Sequence, residues 1–502
     1  MESIMTSSTE AGTSTAPKPV SPSLWRPRLG LVLGPLVFFG MLLAGPPGEL
    51  AAHTWAVAAL TALMAIWWVT EAIPIPATAL LPIAVLPLLG ASTIAEAAAP
   101  YANPLIFLFL GGFMIALAIQ RWNLHRRIAL VILGLAGQRL DHLVAGFMGA
   151  TAGLSMWVSN TATAALMLPI GISVLILLED RGMEKAQIRN VGLALLLGIA
   201  FGANIGGMVT LIGTPPNALL AAYMNDNYDH QIGFAQWMMV GLPLALTLLV
   251  ACWWVLCRWA FPVSRRPLEG IGELLRQQRE QLGPMTRAEL RVLFVFVAVA
   301  LAWILRPLLE SLFPGVSITD PGIAIVGALA LFLIPADFRR HQFLLDWEST
   351  RQLPWGVLIL VGGGLSLGSA IGGSGLSDHI ATSLVQLSNW PTWTLVGIVA
   401  LSAMLLSHVT SNTATAATVL PLAASLAVSL GHDPLLLAIP VALAASCAFM
   451  LPVATPPNAI VFSSERITVP DMVRAGWRIS LIALILVTAA VFGLAMPLLA
   501  GA

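Results

Sequence analysis

The sequence predicts an all-α membrane protein with about eleven transmembrane helices and two re-entrant helical hairpins, arranged as two inverted repeats. Three observations predict this fold: long apolar segments, basic residues confined to alternate loops, and polar motifs that recur in the two halves. Of the 502 residues, 58% are hydrophobic and 10% are charged, and the mean hydropathy is +0.88. Soluble domains average about 45–50% apolar residues, so lipid is the expected solvent for most of this chain.

Eleven apolar segments are long enough to cross about 30 Å of hydrocarbon. They cover 29–46, 53–70, 76–90, 103–120, 190–223, 235–260, 291–312, 320–334, 354–373, 434–462 and 472–499. Two further apolar stretches, 140–178 and 391–430, are interrupted near their centres by the residues Ser-Asn-Thr. Such a break at membrane depth is tolerated only where it lines a cavity or binds something. Each stretch is therefore interpreted as a re-entrant hairpin.

These segments predict the organisation of the chain. Residues 1–28 are expected to form a disordered cytoplasmic tail, because they are rich in Ser, Thr and Pro. Residues 29–260 are predicted to form a first membrane repeat that contains the hairpin 140–178. Residues 261–290 are an interfacial or cytoplasmic linker, and residues 291–502 form a second membrane repeat that contains the hairpin 391–430.

The distribution of charge indicates the orientation. If the N-terminus is cytoplasmic and the hairpins re-enter without crossing, Lys and Arg fall on the cytoplasmic side, with Arg306 as the exception. Apart from Arg306, the predicted outer loops carry no Lys or Arg but several acidic residues: Glu49, Glu96, Asp226, Asp229, Asp320, Asp378 and Asp433. This separation supports the pass count and predicts a multi-pass protein of the cell (inner) membrane with a cytoplasmic N-terminus.

An internal repeat relates the two halves. The segment 159–165 (Ser-Asn-Thr-Ala-Thr-Ala-Ala) recurs identically 252 residues later, at 411–417. Two more landmarks keep the same order: Gly111-Gly112 matches Gly362-Gly363 at an offset of 251, and 214–217 (Thr-Pro-Pro-Asn) matches 455–458 at an offset of 241. Because the pass count makes the hairpins enter from opposite sides, the repeats are predicted to be inverted, as in many secondary transporters.

The repeated motifs predict a binding site where the hairpins meet. The helix that follows each Asn presents its positive dipole end, and the hydroxyls and amides add donors for an anion. Backbone carbonyls and hydroxyl oxygens of the same turns also suit a small hard cation, and each Pro-Pro pair breaks a helix. For a single copy, helix capping and kinking would explain the residues equally well. Duplication in corresponding positions favours the binding site.

With these motifs the chain resembles the divalent anion/sodium symporter family, which includes bacterial and animal dicarboxylate and citrate carriers. The resemblance covers nearly everything from residue 29 onward. It rests on the two Ser-Asn-Thr tips together with 68–74 (Trp-Val-Thr-Glu-Ala-Ile-Pro) and 451–458 (Leu-Pro-Val-Ala-Thr-Pro-Pro-Asn). It implies a homodimer with a scaffold domain and a moving transport domain, an elevator-type motion, and sodium as the coupling ion without other cofactors. The implied substrates are C4-dicarboxylates such as succinate, malate or fumarate, or related divalent anions.

The resemblance also implies the ligands. Those for the substrate are Asn160, Thr161, Thr214, Asn412, Thr413, Thr455 and Pro456. Those for one sodium ion are Ser155, Ser159, Asn160 and Gly213, and those for a second are Ser407, Thr410, Asn412 and Ala454. No Lys or Arg maps to the site, so co-bound sodium is expected to offset the cost of desolvating a doubly charged anion.

His408 departs from the family pattern, since an acidic residue is frequent at this position and a Thr is common where Ser407 stands. A neutral histidine that hydrogen-bonds within the hairpin is preferred over a role in proton coupling. Sodium-independent exchange of di- or tricarboxylates and proton-coupled transport are kept as alternatives. An intramembrane enzyme is disfavoured because the sequence shows no nucleophile–base pair, metal-ligand cluster or paired carboxylates at membrane depth. A passive channel has less need of two interrupted half-sites.

Overall fold

A computed structural model describes residues 25–48, 50–181, 183–265, 267, 270–383 and 390–500, and the first 24 residues of the predicted tail lie outside these ranges. As predicted, the described chain is almost entirely helical. The helices before residue 285 are α1 (Trp25–Ala44), α2 (Ala52–Thr70), α3 (Ile75–Thr78), α4 (Leu81–Leu88), α5 (Ile94–Ala98), α6 (Pro104–Arg121), α7 (Leu124–Leu135), α8 (Leu140–Ser155), α9 (Asn160–Asp180), α10 (Lys185–Gly207), α11 (Pro215–Tyr228), α12 (Phe234–Trp254) and α13 (Ile271–Gln281).

The later part of the chain repeats this helical pattern with one short ribbon. Its helices are α14 (Arg287–Ile304), α15 (Arg306–Leu312), α16 (Asp320–Leu333), α17 (Trp355–Gly373), α18 (Leu376–Ser383), α19 (Thr392–Val409), α20 (Asn412–Ser429), α21 (Leu435–Ala445), α22 (Pro456–Phe462), α23 (Val469–Ala490) and α24 (Met496–Leu499). The strands β1 (Pro335–Asp337) and β2 (Gln342–Phe343) pair antiparallel. They are the departure from the all-helical prediction within the described ranges.

Within the described ranges, ten helical segments are long and apolar enough to cross a membrane, or eleven if α14 and α15 form one bent span. This agrees with the predicted number of about eleven, but the helices that qualify as membrane-spanning are not all the predicted ones. The ten include α9, α19 and α20, whereas α16 and α21 are shorter apolar helices. The predicted pass 291–312 bends by 77° between α14 and α15, where Pro307 has no N–H with which to continue the helix.

Both sequences interpreted as hairpins form two helices joined by a short turn. Hairpin 1 consists of α8, the turn 156–159 and α9, and hairpin 2 consists of α19, the turn 410–411 and α20. Ser159 Oγ accepts a hydrogen bond from the Ala162 amide at 3.3 Å, and Ser411 Oγ accepts one from the Ala414 amide at 3.0 Å. Each Ser therefore caps a helix, and the Asn and Thr after it form the first turn.

Each Thr-Pro-Pro-Asn motif follows a helix break. Break 1 (208–214) separates α10 from α11, and break 2 (446–455) separates α21 from α22. In both breaks the motif's Asn donates from Nδ2 to the carbonyl oxygens ten and seven residues earlier. The distances are 3.2 and 2.8 Å from Asn217 to Gly207 and Thr210, and 3.1 and 3.0 Å from Asn458 to Ala448 and Leu451. This shared hydrogen-bond pattern supports the internal repeat.

The Gly-Gly landmarks lie where helices of one half pack on helices of the other. On α6, a Cβ at Gly111 would lie 2.6 Å from the Ala324 carbonyl carbon of α16. On α17, a Cβ at Gly363 would overlap the Ala79 carbonyl oxygen at the end of α3. Only glycine permits these close approaches, so the landmarks hold the two halves against each other.

Arg306 is the single exception in the predicted charge distribution, and it forms ion pairs with acidic residues. It contacts Asp320 at 3.0 Å and Glu310 at 3.2 Å.

Ion pairs also involve the basic residues at the C-terminal end of α6 and in α7. Arg121, the last residue of α6, contacts Asp346 at 2.5 Å, and Arg127 of α7 contacts Glu289 at 3.1 Å. The basic loop residues around 121–127 therefore gather with the linker and the ribbon region at one end of the molecule.

Candidate functional site

A cavity of about 520 Å³ lies where the two hairpin tips and the two helix breaks meet. All seven predicted substrate residues line it, as do Ser159 and Gly213 from the first predicted sodium set. The other predicted residues do not line the cavity and are buried: Ser155, Ser407, His408, Thr410 and Ala454. The structure thus brings the motifs of both halves to one place.

The hairpins and the breaks contribute four helices that begin at this cavity, and α17 also begins there. Of the four, three are long: α9 with 21 residues, α11 with 14 and α20 with 18. The first N–H groups of α9 and α20 have no partner within their helices, and these ends carry partial positive charge. In α11 and α22 the first two positions are Pro, which has no N–H. Donors on that side are therefore the hydroxyls of Thr214 and Thr455.

The cavity combines an apolar wall with uncharged polar groups among the described residues. Its lining contains hydroxyls, amides and apolar groups, and no Asp, Glu, Lys or Arg is found among the described residues that line it. An anion held here meets hydrogen-bond donors and helix dipoles but no fixed cation. Its charge must be compensated from elsewhere, because an uncompensated charge is costly in a medium of low dielectric constant.

Hydrogen bonds cross between the halves at the cavity. Asn412 Nδ2 of hairpin 2 lies 3.4 Å from Thr214 Oγ1 before α11, and Asn204 Nδ2 of α10 lies 3.0 Å from Thr455 Oγ1 before α22. Asn204 lines the cavity and is 1% exposed. It was not predicted from the sequence, because it belongs to no repeated motif. A polar side chain near the centre of the apolar segment 190–223 was the available signal.

The first predicted sodium set is brought together around Gly207. Ser155 Oγ donates to Asn160 Oδ1 at 2.5 Å. A Cβ at Gly207 would lie 2.6 Å from Asn160 Oδ1, and a Cβ at Gly213 would overlap the Gly207 carbonyl oxygen. Side-chain and backbone oxygens of the hairpin tip and of break 1 are therefore neighbours, as in the unwound segments that hold sodium in transporters.

The second predicted sodium set is less closely connected. Ser407 Oγ donates to the Ala445 carbonyl at 2.6 Å, and Thr410 Oγ1 lies 2.7 Å from Thr415 Oγ1. Asn412 Oδ1 accepts from the Thr413 amide at 2.9 Å, and Ala454 is buried. These oxygens are bonded to separate partners, so the second sodium site stays a prediction.

His408 is buried behind the tip of hairpin 2, with 3% of its surface exposed. Its Nδ1 atom lies 2.7 Å from the Met404 carbonyl oxygen, so Nδ1 carries a proton and donates. Its Nε2 atom has no hydrogen-bond partner among the described residues. A proton on Nε2 would bury a charged donor without an acceptor, so this geometry supports the neutral histidine that was preferred from the sequence.

Two further polar residues line the cavity at its far end. Gln120 comes from the last turn of α6, and Gln352 precedes α17. Neither was predicted from the sequence, because both stand at the ends of segments and outside every repeated motif. Gln120 is adjacent to Arg121, which contacts Asp346 at 2.5 Å. The cavity therefore extends from the hairpin tips toward the basic end of the molecule.

Many apolar helices surround a cavity whose described polar lining residues are uncharged and come from two hairpins and two helix breaks, which defines a multi-pass membrane transporter. The chain belongs to the family described as "Sodium:sulfate symporter transmembrane region", which matches residues 27–499. This confirms the resemblance inferred from the motifs.

Among curated proteins, the chain is similar to the sodium-dependent dicarboxylate transporter SdcS of Staphylococcus aureus strain MRSA252. The two are 42% identical over 478 residues, which cover 94% of this chain and 92% of that protein. The SdcS of strain NCTC 8325 / PS 47 gives the same identity and the same coverage.

Two solved structures share the fold at low sequence identity. The Alcanivorax borkumensis YdaH transporter superposes with a TM-score of 0.55 at 13% identity, covering 88% of this chain and 99% of that one. Neisseria gonorrhoeae MtrF superposes with a TM-score of 0.55 at 14% identity, covering 92% of this chain and 98% of that one. At these identities the likeness concerns the fold alone.

Proposed function

We propose that the protein is a sodium-coupled symporter of C4-dicarboxylates such as succinate, malate and fumarate. The observation that carries the proposal is the cavity at which the Asn-Thr pairs of both hairpin tips meet the Thr-Pro-Pro segments of both breaks. A dicarboxylate has two anionic groups, and the cavity offers one set of neutral donors from each half. The name of the SdcS relatives agrees with this substrate class.

Sodium coupling follows from the chemistry of Asn160. Its Oδ1 atom lies among the oxygens of the first predicted sodium set, 2.5 Å from Ser155 Oγ, and the residue also lines the cavity. If Oδ1 coordinates a sodium ion, Nδ2 remains free to donate a hydrogen bond to a substrate carboxylate. Because one side chain would then contact both ions, binding of sodium favours binding of the anion, and binding of the anion favours binding of sodium. The cation also offsets the desolvation cost of the anion.

The transport step is proposed to be an elevator motion between inverted repeats. The hairpins pack on the broken helices of their own halves, α8 and α9 on α10, and α19 and α20 on α21. These elements would form the moving transport domain, and the remaining helices of repeats 29–260 and 291–502 would form the scaffold. The cavity extends toward the basic end, which we assign to the cytoplasm, and this supports a cytoplasm-facing state as part of the proposal.

The protein is further proposed to be a homodimer in the bacterial cell (inner) membrane with a cytoplasmic N-terminus. The dimer comes from the family resemblance, and the orientation comes from the separation of basic and acidic loops. The homodimer is tested by measuring the mass of the detergent-solubilised protein with light scattering. The orientation is tested by placing a single cysteine at Arg339, in the ribbon region, and measuring its accessibility to a reagent added on either side of the membrane.

Exchange and proton coupling are the competing carrier mechanisms. Proton coupling would need a group that titrates near the site, and His408 is the candidate. The bond from Nδ1 to the Met404 carbonyl at 2.7 Å and the unpartnered Nε2 support a neutral structural role instead. Membership of a transporter family supports a carrier rather than an intramembrane enzyme or a passive channel.

Uptake of labelled succinate into proteoliposomes tests the proposal. An inward sodium gradient is expected to drive concentrative uptake, a potassium gradient is not, and His408→Gln is expected to keep the sodium dependence. Uptake that needs internal succinate and ignores sodium would contradict symport and support exchange. Uptake that follows a proton gradient and is lost in His408→Gln would support proton coupling.

A further inference from the structure

We propose that Asn204 orients the Thr455 hydroxyl so that it donates its hydrogen to the bound dicarboxylate. Asn204 would be a positioning residue, acting on the anion through Thr455 rather than by contact. The inference deepens the proposed function and rests on it, since it assumes that Thr455 contacts the substrate.

The geometry places three polar side chains in one buried cluster between the halves. Asn204 belongs to α10 of the first half, and Thr455 and Asn458 belong to the Thr-Pro-Pro-Asn motif of the second. Asn204 Nδ2 lies 3.0 Å from Thr455 Oγ1 and 3.3 Å from Asn458 Oδ1. All three residues are at most 3% exposed, so water does not compete for these bonds.

The surrounding hydrogen bonds fix which end of the Asn204 amide faces the cluster. Asn458 Nδ2 donates to the Ala448 and Leu451 carbonyls at 3.1 and 3.0 Å, so the Asn458 atom that faces Asn204 is the acceptor Oδ1. An oxygen of Asn204 at 3.3 Å from that acceptor would repel it and would leave the bond unmade. The amide orientation is therefore determined by the network, as such assignments require.

The Thr455 hydroxyl can act only as a hydrogen-bond donor toward a bound substrate. A hydroxyl group has two acceptor lone pairs and one donor hydrogen. Thr455 Oγ1 accepts from Asn204 Nδ2 at 3.0 Å and from the Asn458 amide at 3.4 Å. Both lone pairs are thus engaged, and Thr455 lines the cavity. A hydroxyl held in this way is a donor, which is what a carboxylate needs.

Asn204 itself has no donor left for the anion. Its two N–H bonds go to Thr455 and Asn458, and its Oδ1 atom, an acceptor, has no partner among the described residues. An amide oxygen does not attract a carboxylate. In the other half, Thr214 Oγ1 receives Asn412 Nδ2 at 3.4 Å, so each break has its Thr hydroxyl approached by an amide from the opposite half.

A double-mutant cycle on succinate uptake tests the assignment. Asn204→Ala and Thr455→Val are each expected to raise the KM for succinate about 10-fold, the size of one hydrogen bond to a charged group, with a smaller change in the maximal rate. The double variant is expected to match Thr455→Val alone. The matched control is Asn204→Ala with Thr214→Val, in which the two KM effects are expected to multiply.

The outcomes separate this inference from the proposed function. If Thr455→Val leaves the succinate KM unchanged, the proposed substrate site itself fails. If Thr455→Val raises the KM but Asn204→Ala does not, or if their effects multiply, the site stands and the positioning role is wrong. A changed half-saturation for sodium with an unchanged succinate KM would show that Asn204 acts on the cation, and would also overturn the inference. If Asn204→Ala is not recovered as folded protein, Asn204→Ser replaces it in the same cycle under the same criteria.

Discussion

Asn412 and Thr214 meet across the two halves of the chain, with Asn412 Nδ2 lying 3.4 Å from Thr214 Oγ1 although 198 positions separate them. Asn412 begins α20 at the tip of hairpin 2, and Thr214 precedes α11 at the end of break 1. The contact joins a hairpin tip of one half to a helix break of the other. Neither half can therefore form the cavity alone.

Asn160→Ala and Asn412→Ala are each expected to reduce sodium-driven succinate uptake about 100-fold, because each removes hydrogen bonds to a charged substrate and an oxygen of a predicted sodium site. Both variants should elute from size exclusion like the wild type. Asn225→Ala is the matched control, since Asn225 lies outside the cavity lining and Asn225 Nδ2 donates to the neighbouring Asp226 at 3.2 Å. Wild-type uptake in both tip variants would contradict the site assignment.

Gly207→Ala is expected to disrupt the first sodium set, because the new methyl group would lie 2.6 Å from Asn160 Oδ1. We expect at least a 10-fold higher sodium concentration for half-maximal uptake. Gly153→Ala, in hairpin 1, is the control. A Cβ there meets nothing within 4 Å, and alanine is the better helix former by about 1 kcal/mol. Equal sodium dependence in the two variants would show that Gly207 is not beside a cation.

Asn217→Ala and Asn458→Ala are each expected to lower stability. Asn217 Nδ2 lies 3.2, 3.3 and 2.8 Å from three carbonyl oxygens at the end of α10 and in break 1. Asn458 Nδ2 lies 3.1 and 3.0 Å from two carbonyl oxygens of break 2, and Asn458 Oδ1 accepts from Asn204 Nδ2 at 3.3 Å. Each buried group left without a partner costs about 1–3 kcal/mol, so thermal unfolding in detergent should show Tm falling by several degrees in both variants. An unchanged Tm in either variant would contradict this explanation of the breaks.

Arg26→Ala is expected to weaken the cytoplasm-facing state. Arg26 Nη2 donates to the Val69 carbonyl at 3.0 Å and to the Val409 carbonyl at 2.6 Å. Arg26 therefore links α1 to the end of α2 and to the end of α19, next to the tip of hairpin 2. We expect slower labelling of a cysteine placed at Gln120 by a maleimide added on the cytoplasmic side. The native cysteines are buried and give little background. Arg28→Ala is the control, and equal labelling rates in both variants would exclude a holding role for Arg26.

Repetition made the centre of the site predictable. Ser159 and Ser411 cap their helices with the same contact, and Asn217 and Asn458 bind carbonyls at the same spacing. A motif that occurs twice must satisfy the same local geometry twice. The sequence therefore located both tips and both breaks, and the seven substrate residues that the family resemblance implied all line the cavity between them.

Contacts that occur once were not predictable from the sequence. Asn204 reaches Thr455 only because α10 packs against α22, and no spacing along the chain records that packing. The bend of 77° after α14 likewise depends on how one Pro-containing turn folds away from an otherwise apolar segment. Hydropathy reports the length of an apolar segment but not its direction.

The most direct test of the central claim is calorimetric titration of succinate into the purified protein, in sodium chloride and in potassium chloride at the same ionic strength. The cavity has no fixed positive charge among its described lining residues, so the account predicts measurable binding in sodium and none in potassium. It also predicts that Asn160→Ala loses the sodium-dependent heat. Equal affinity for succinate in the two salts would contradict the claim that sodium supplies the charge that the site lacks.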